Sequence, residues 1–243
     1  FLSEHEGRPS LLLLGSIEIS DFLGLIVQPA DLQRFLSGLL DFLATNSQVP
    51  AWQVLDLHNV LESSGILNAL QAEATQRGWQ YHSEQSYHSP YIQLPGDWEE
   101  YLSGLDKKQR HEIRRKMRRL EEAYPSSRFY FVEDSEALPE AIDRFFQLMA
   151  FDPQKEAFLT EPMRQAMRAT ISNAFEHGYL QLAFLELDGS QAAAYLNFNY
   201  DGRLWVYNSG LDPQFYSVSA GWVLLAYLLR WSIENGLQEL DFM

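Results

Sequence analysis

The 243-residue chain contains no cysteine, and this absence excludes several kinds of site at once. Disulfides, thiolate nucleophiles and zinc sites with thiolate ligands all require cysteine. A cytoplasmic location fits a cysteine-free chain, and we expect one. His82 and His88 would share one face of an extended segment, but about 20 Å apart, which is too far for one metal ion. We therefore expect no metal site.

Long apolar runs are also missing. No stretch of 18 apolar residues exists, so we expect no transmembrane segment. The first residues show no positively charged region before an apolar stretch, and no signal peptide is expected. No Ser–His–Asp arrangement, Walker loop or carboxylate pair stands out. With 46% hydrophobic and 14% aromatic residues, the chain can still bury one large core or two modest ones.

Positive charge is scarce and is concentrated in one segment. The chain has 18 Lys and Arg residues against 33 Asp and Glu residues, a net charge of −15. Residues 106–119 hold eight of those cations and two acids, which gives the segment a charge of +6. A chain this acidic is not expected to bind DNA through its whole surface.

The basic segment predicts a helix over 106–122. Asp106 is a good N-terminal cap, and Ile113, Met117 and Leu120 form one apolar stripe. The cations would form either a solvated helix face or a binding surface for the phosphates of a coenzyme, a nucleotide-linked precursor or a transfer RNA. The best candidates lie near the positive N-terminal end of the helix. They are Lys107, Lys108, Arg110 and Arg114.

The order of predicted elements divides the chain at residue 95. Residues 1–95 predict a strand, a helix, a strand, a helix and two further strands, the first of those two over 79–87. Residues 96–243 predict a capped helix, the basic helix, a strand, two helices, a three-strand meander, a loop, a buried helix and a last strand. The meander follows from the hairpin turns at Asp188-Gly189 and Asp201-Gly202.

That order, from residue 129 to the end, resembles the GNAT acyltransferase domain. Several short segments further resemble the CelD-like (cellulose-biosynthesis-type) acetyltransferases, which are related to the Fem-type ligases that build peptidoglycan bridges. The segments are Trp98–Leu102, Leu105–Arg110, Ile113–Lys116, Leu211–Pro213 and Leu240–Phe242.

The resemblance implies an α/β fold made of two tandem GNAT-like units with mixed, mostly antiparallel sheets. Residues 1–95 would be the C-terminal part of a first unit, and residues 96–243 a second unit without its closing helix and strands. Because the chain starts at Phe1 and stops at a predicted strand, we expect it to be a fragment of a longer protein.

The function that the resemblance implies is N-acyl transfer from acyl-CoA, such as acetyl-CoA, to an amine of a small molecule or of an envelope or polysaccharide precursor. One alternative is aminoacyl transfer from transfer RNA, as in Fem-type relatives. The other is a catalytically silent acyltransferase fold that acts as a binding module.

In a GNAT domain the coenzyme A pyrophosphate lies at the start of the helix after the meander, where backbone N–H groups and the helix dipole favour an anion. The matching residues here are Ser217, Ser219, Ala220 and Gly221. Ser219 is expected to cap the helix. A single glycine replaces the two that are usual in the GNAT loop, so an ordinary capped helix start is the alternative.

Acyl transfer to an amine requires removal of a proton and polarisation of the acyl carbonyl. Asp241, on the last predicted strand, is our candidate base or substrate-orienting carboxylate, and Tyr207 is our candidate proton donor or positioning group. Strand alternation predicts that Tyr207 and Ser209 share one face. Tyr195 and Asn197, which share a face of the middle meander strand, are candidate substrate-binding residues.

Overall fold

The computed structural model describes residues 1–5, 7–15, 17 and 19–243. They form two compact units, Phe1–His88 and Ser89–Met243. Both units combine helices with mixed sheets, which confirms the predicted α/β class. The division falls after His88 instead of residue 95, because Tyr91–Gln93 pairs with a strand of the second unit.

The first unit contains one small sheet and two helices. Strands β1 (Leu2–His5) and β2 (Arg8–Leu12) are antiparallel, and β2 is parallel to β3 (Val54–Asp56). Helices α1 (Leu32–Thr45) and α2 (Ile66–Arg77) enclose a core that includes Leu36, Leu40 and Ala69. Residues 79–90 form no regular element, so the strand predicted over 79–87 is wrong.

The second unit follows the predicted order of elements with one addition, a short helix over Pro153–Phe158 that was not predicted. Its strands are β4 (Tyr91–Gln93), β5 (Arg128–Phe131), β6 (Leu180–Leu187), β7 (Ser190–Tyr200), β8 (Arg203–Leu211) and β9 (Glu239–Asp241). Its helices are α3 (Trp98–Gly104), α4 (Lys107–Ala123), α5 (Leu138–Met149), α6 (Pro153–Phe158), α7 (Glu161–Glu176) and α8 (Ala220–Glu234).

Local chemistry accounts for many of these boundaries. Asp97 and Asp106 accept the backbone N–H of the residue three positions on, which caps α3 and α4 as predicted. Asp188 and Asp201 have positive φ and each precedes a glycine with positive φ, the geometry of tight hairpin turns. These two turns produce the antiparallel β6–β7–β8 meander.

The sheet of the second unit has the strand order β4-β9-β8-β7-β6-β5, and every pair is antiparallel except β8 with β9. One face, which we call the α8 face, packs Ala183, Leu185 and Val206 against α4 and α8. The other, the α5 face, packs Leu182, Phe184 and Ala194 against α5 and α7. Alternating strand residues therefore supply two separate cores.

Candidate active site

Strand β8 has two different edges. It pairs with β7 along its whole length, from Arg203 to Leu211. It pairs with β9 only over Arg203–Trp205, opposite Glu239–Asp241. Within the described residues, 206–211 therefore form an edge without a strand partner on the β9 side. The Phe242 N–H donates to the Pro90 carbonyl, so the chain leaving β9 continues on the β4 side.

A bulge interrupts β8 at Tyr207. Leu196 pairs with Asn208 and Asn197 pairs with Val206, so Tyr207 is the extra residue of β8 in this register. A bulge reorients the side chains that follow it. The Tyr207 ring packs on the α5 face, 5.9 Å from the Phe198 ring.

The bulge has a consequence for the residues beyond it. Ser209 lies opposite Tyr195, which packs on the α8 face. Directly opposed strand residues share a face. Tyr207 and Ser209 are therefore on opposite faces, and the predicted shared face is wrong because the extra residue reverses the alternation.

The candidate base Asp241 is buried, with 6% of its surface exposed. It lies between Tyr91 of β4 and Trp205 of β8, and its Oδ1 accepts the Met243 N–H at 2.8 Å. Because Leu240 packs on the α8 face, Asp241 points to the opposite face, the same one as Tyr207. The two candidate catalytic residues thus share a face of neighbouring strands.

Burial raises the pKa of Asp241 above its ordinary value of 3.8. Glu239, two residues earlier, also raises the pKa, whereas the Met243 N–H and Arg203 lower it. Glu239 itself is held by Arg203 at 3.0 Å and by Gln93 at 2.5 Å. Burial makes the protonated form of Asp241 more accessible than in an exposed carboxyl group, which suits a role in proton transfer.

Lys155 of α6 is a site residue that the sequence did not reveal. Its Nζ donates to the Ser209 carbonyl at 2.5 Å and to the Ser209 Oγ at 3.3 Å, on the part of β8 that β9 does not cover. Burial lowers the pKa of Lys155, and Asp152 partly offsets this. The sequence analysis missed both the helix and the contact, because Lys155 and Ser209 meet across 54 residues.

The start of α8 differs in one respect from the prediction. Ser219 precedes the helix with φ 57°, in the left-handed region, and its side chain makes no capping hydrogen bond. The expected capping role of Ser219 is therefore wrong. Ala220 is fully buried and Ser217 is exposed. The first turn of α8 retains backbone N–H groups without partners inside the helix, which favour an anion.

Gly221 lies where the first turn of α8 packs against the end of β8. A Cβ at Gly221 would lie 3.3 Å from the Leu211 Cδ2, tighter than ordinary van der Waals contact. The glycine thus allows the α8 backbone to approach the last residue of β8 closely.

The four predicted phosphate ligands of α4 have different surroundings. Lys107 and Lys108 are exposed. The Arg110 guanidinium points to the Leu102 carbonyl at 3.5 Å and the Ser103 carbonyl at 3.4 Å, at the end of α3. Arg114 forms an ion pair with Glu99. Arg110 and Arg114 thus contact α3, whereas Lys107 and Lys108 are open to solvent.

Another cation of α4 does approach that turn. The Lys116 Nζ lies 4.5 Å from the centre of the Trp222 ring, and Glu112 is 3.7 Å away. Only 22% of the Lys116 side chain is exposed. The spacing of Lys116 from the buried residues could have distinguished it from the other cations of α4. Lys116 follows Ile113 by three residues and therefore borders the buried stripe of the helix.

The two polar candidates of β7 are embedded in the sheet. Asn197 is fully buried, and its Nδ2 donates to the Gln181 carbonyl at 2.9 Å and the Tyr195 carbonyl at 3.3 Å. Its Oδ1 has no partner among the described residues. Burial raises the pKa of Tyr195. The amide of Asn197 is thus committed to the backbone beside the bulge.

Within the described residues, no three His, Asp or Glu side chains are arranged to hold a metal ion. None of the described helices has both the length and the hydropathy of a bilayer-spanning segment.

Residues 107–243 match the family described as Acetyltransferase (GNAT) domain, which is more than half of the chain. The chain belongs to the GNAT acetyltransferase family. No protein of curated function matches the sequence.

Three solved structures resemble this GNAT protein. FemX shares 12% identity at a TM-score of 0.57, covering 97% of this chain and 71% of FemX. A conserved protein of unknown function from Bacteroides thetaiotaomicron VPI-5482 shares 14% identity at a TM-score of 0.53, covering 86% of this chain. The chain spans 65% of that Bacteroides protein. These likenesses show a shared fold.

The third is the C-terminal domain (DUF2156) of a putative lysylphosphatidylglycerol synthetase from Agrobacterium fabrum. It shares 11% identity at a TM-score of 0.46, over 88% of this chain and 60% of that one.

Proposed function

We propose that this GNAT protein is a cytoplasmic N-acyltransferase of the CelD-like type. It transfers an acyl group from acyl-CoA, with acetyl-CoA as the simplest donor, to an amine of a small molecule or of an envelope or polysaccharide precursor. The observation that carries the proposal is the contact between the first turn of α8 and the end of β8, at Gly221 and Leu211. This contact brings the start of α8, which we propose binds the anion, beside an open strand edge.

These two features match the two chemical parts of an acyl-CoA. The pyrophosphate would accept hydrogen bonds from the first N–H groups of α8, with the Lys116 ammonium nearby as a further cation. The amide-containing arm would lie along the part of β8 that β9 leaves without a strand partner. The acyl carbonyl would then lie on the β9 side of β8.

The reaction would be direct attack by the amine within a ternary complex, without a covalent enzyme intermediate. Asp241, buried on the strand beside the open edge, would take the proton from the attacking amine or orient it. Tyr207 would position or protonate the leaving thiolate from the same face. Holding the two substrates in line would supply much of the rate enhancement.

Calorimetry with a series of ligands tests this proposal. Acetyl-CoA is expected to bind with a micromolar Kd, and acetyl-pantetheine, which lacks the pyrophosphate, at least tenfold more weakly. Release of free thiol from acetyl-CoA in the presence of amines would demonstrate turnover. Equal affinity for both thioesters would remove the role of α8, and no binding of either would overturn the donor assignment.

A second candidate is aminoacyl transfer from transfer RNA. Lys107 and Lys108 favour it, because they are exposed at the positive end of α4 and form no ion pair in the described part of the chain. Binding to transfer RNA that weakens with salt and is lost in K107E/K108E would support this function. Binding of a ligand without any turnover would instead indicate a non-catalytic binding module.

A further inference from the structure

Lys155 is half-buried at the open edge of β8, and neither of its two hydrogen-bond acceptors is a carboxylate. Its Nζ has two acceptors, the carbonyl and the hydroxyl of Ser209. Among the described residues it has no third acceptor and no ion-pair partner. An ammonium group carries three hydrogens. One N–H of Lys155 is therefore uncommitted, in a side chain that is partly removed from water.

The contacts of Lys155 give no structural reason for a charged side chain at this position. The carboxylate of Asp152 caps α6 by accepting the N–H groups of Gln154 and Lys155, so it serves the backbone. The Ser209 N–H is bonded to the Asn208 Oδ1 at 2.8 Å, and β8 presents only uncharged groups to the lysine. Removing an ammonium from water is costly, and Asp152 offsets this only in part, so a cation in this position is a candidate for a functional role.

The position of Lys155 along β8 indicates which negative charge its ammonium group would stabilise. Ser209 lies two residues beyond the bulge at Tyr207, on the stretch of β8 that β9 leaves unpaired. The proposed function places the acyl carbonyl along this same edge. A hydrogen-bond donor held there by two fixed acceptors is preorganised for an oxygen that becomes an anion.

We propose that Lys155 is a catalytic residue whose free N–H polarises the acyl carbonyl and stabilises the tetrahedral oxyanion. This inference rests on the proposed acyl transfer. The amine lone pair forms the C–N bond while the C=O π electrons move to the oxygen, which Lys155 holds. The C=O bond then re-forms as the C–S bond breaks, and the sulfur takes the proton given up by the amine. Lys155 keeps its own proton throughout.

The pH dependence follows from the requirement for a charged lysine. Burial lowers the pKa of Lys155 from 10.5, so the catalytic ammonium is lost at a lower pH than in an exposed lysine. Activity should therefore fall as the pH rises through this lowered pKa. A lysine acting as a base would give the opposite result, a rate that rises through the same range.

Three variants separate these possibilities, with acetyl-CoA as donor, hydroxylamine as a minimal amine and free thiol as the readout. K155M, which keeps the length of the side chain, should lower kcat by about 100-fold with little change in the Kd for CoA. K155R should keep part of the activity and lose the alkaline fall, because arginine stays charged. Q154M, at the exposed neighbouring position of α6, is the matched control and should behave like the wild type.

A second measurement does not depend on turnover. The chain has four lysines, three of them on α4, so a protein labelled with 13C-lysine should give four resolvable Cε signals. The signal lost in K155M should titrate below the other three. A Lys155 signal that titrates with the others overturns the inference, as does a kcat for K155M within threefold of wild type or an alkaline limb that persists in K155M.

The two proposals fail in different ways. If wild-type protein releases thiol and K155M does so equally, only the role of Lys155 is wrong. If wild-type protein releases none with any amine, acyl-CoA transfer itself is wrong, and the role of Lys155 falls with it.

Discussion

Gly210 of β8 lies directly against Met149 at the end of α5. A Cβ built at Gly210 would be 2.6 Å from the Met149 backbone nitrogen and 2.6 Å from the Leu148 Cβ. Backbone atoms cannot move aside as a flexible side chain can. This contact fixes the distance between α5 and the strand that carries Tyr207 and Ser209.

We therefore expect Gly210→Ala to destabilise the protein by about 1–3 kcal/mol, because one methyl group overpacks the contact between helix and strand. Urea unfolding followed by circular dichroism measures the change. Gly38→Ala is the matched control, since Gly38 is in the middle of α1 with no atom within 4 Å of its added Cβ. There the same substitution should stabilise by about 0.5–1 kcal/mol. Equal effects at both positions would contradict the close packing at Gly210.

Asp241→Asn should reduce kcat strongly while the fold stays intact, because asparagine keeps the Oδ1 acceptor for the Met243 N–H. The folded-state pKa of Asp241 is raised above 3.8, so the folded protein binds the proton more tightly than the unfolded chain does. Stability is thus lost as the pH rises from about 3.8 through the raised pKa.

The variant lacks this titration. The stability of Asp241→Asn minus that of the wild type should therefore be larger at pH 7 than at pH 3. Thermal unfolding of both proteins at both pH values would measure this difference. Unchanged turnover would remove Asp241 from the mechanism, and a large loss of stability at pH 7 would show a structural role for its charge.

The sequence predicted those features that depend on neighbouring residues. Asp106 capping α4 and the stripe of Ile113, Met117 and Leu120 follow from spacings of three and four, and the structure confirms both. The face of Ser209 was wrong because a single extra residue at Tyr207 reverses strand alternation, and no local pattern marks that bulge.

Contacts between residues far apart in the sequence could not be predicted from the spacing of neighbouring residues. Lys155 is an unremarkable lysine in a short helix until the fold brings it to Ser209. Similarly, Lys116 is one of eight cations in residues 106–119, and only the packing of α4 beside α8 separates it from the rest by setting it over Trp222.

Lys116→Met should weaken acetyl-CoA binding by about tenfold or more, because a charge-assisted hydrogen bond to phosphate contributes roughly 1.5–3 kcal/mol. Methionine preserves the packing on Trp222, so stability should change little. The control is Lys107→Met, an exposed lysine of the same helix. Calorimetry at two salt concentrations should show a weaker salt dependence only for Lys116→Met. Identical affinities for the two variants would place the pyrophosphate elsewhere.

The last prediction concerns the first unit, where Glu73 of α2 is only 2% exposed. Gln33 donates to it from α1, and Arg77 forms an ion pair with it. The Arg77 Nη2 also donates to the Ser37 carbonyl at 3.0 Å, which ties α2 to α1. The buried carboxylate therefore depends on a partner one helical turn away.

Arg77→Met should lower the denaturation midpoint of this unit markedly, because it leaves the Glu73 carboxylate buried without its cation. The double variant E73M/R77M should recover most of the loss, since two apolar side chains of similar volume need no partner. Arg34→Met removes an exposed ion pair with Asp31 and should change stability by no more than about 0.5 kcal/mol. If the double variant is as unstable as Arg77→Met, the hydrogen bonds to α1, and not the buried charge, hold the two helices together.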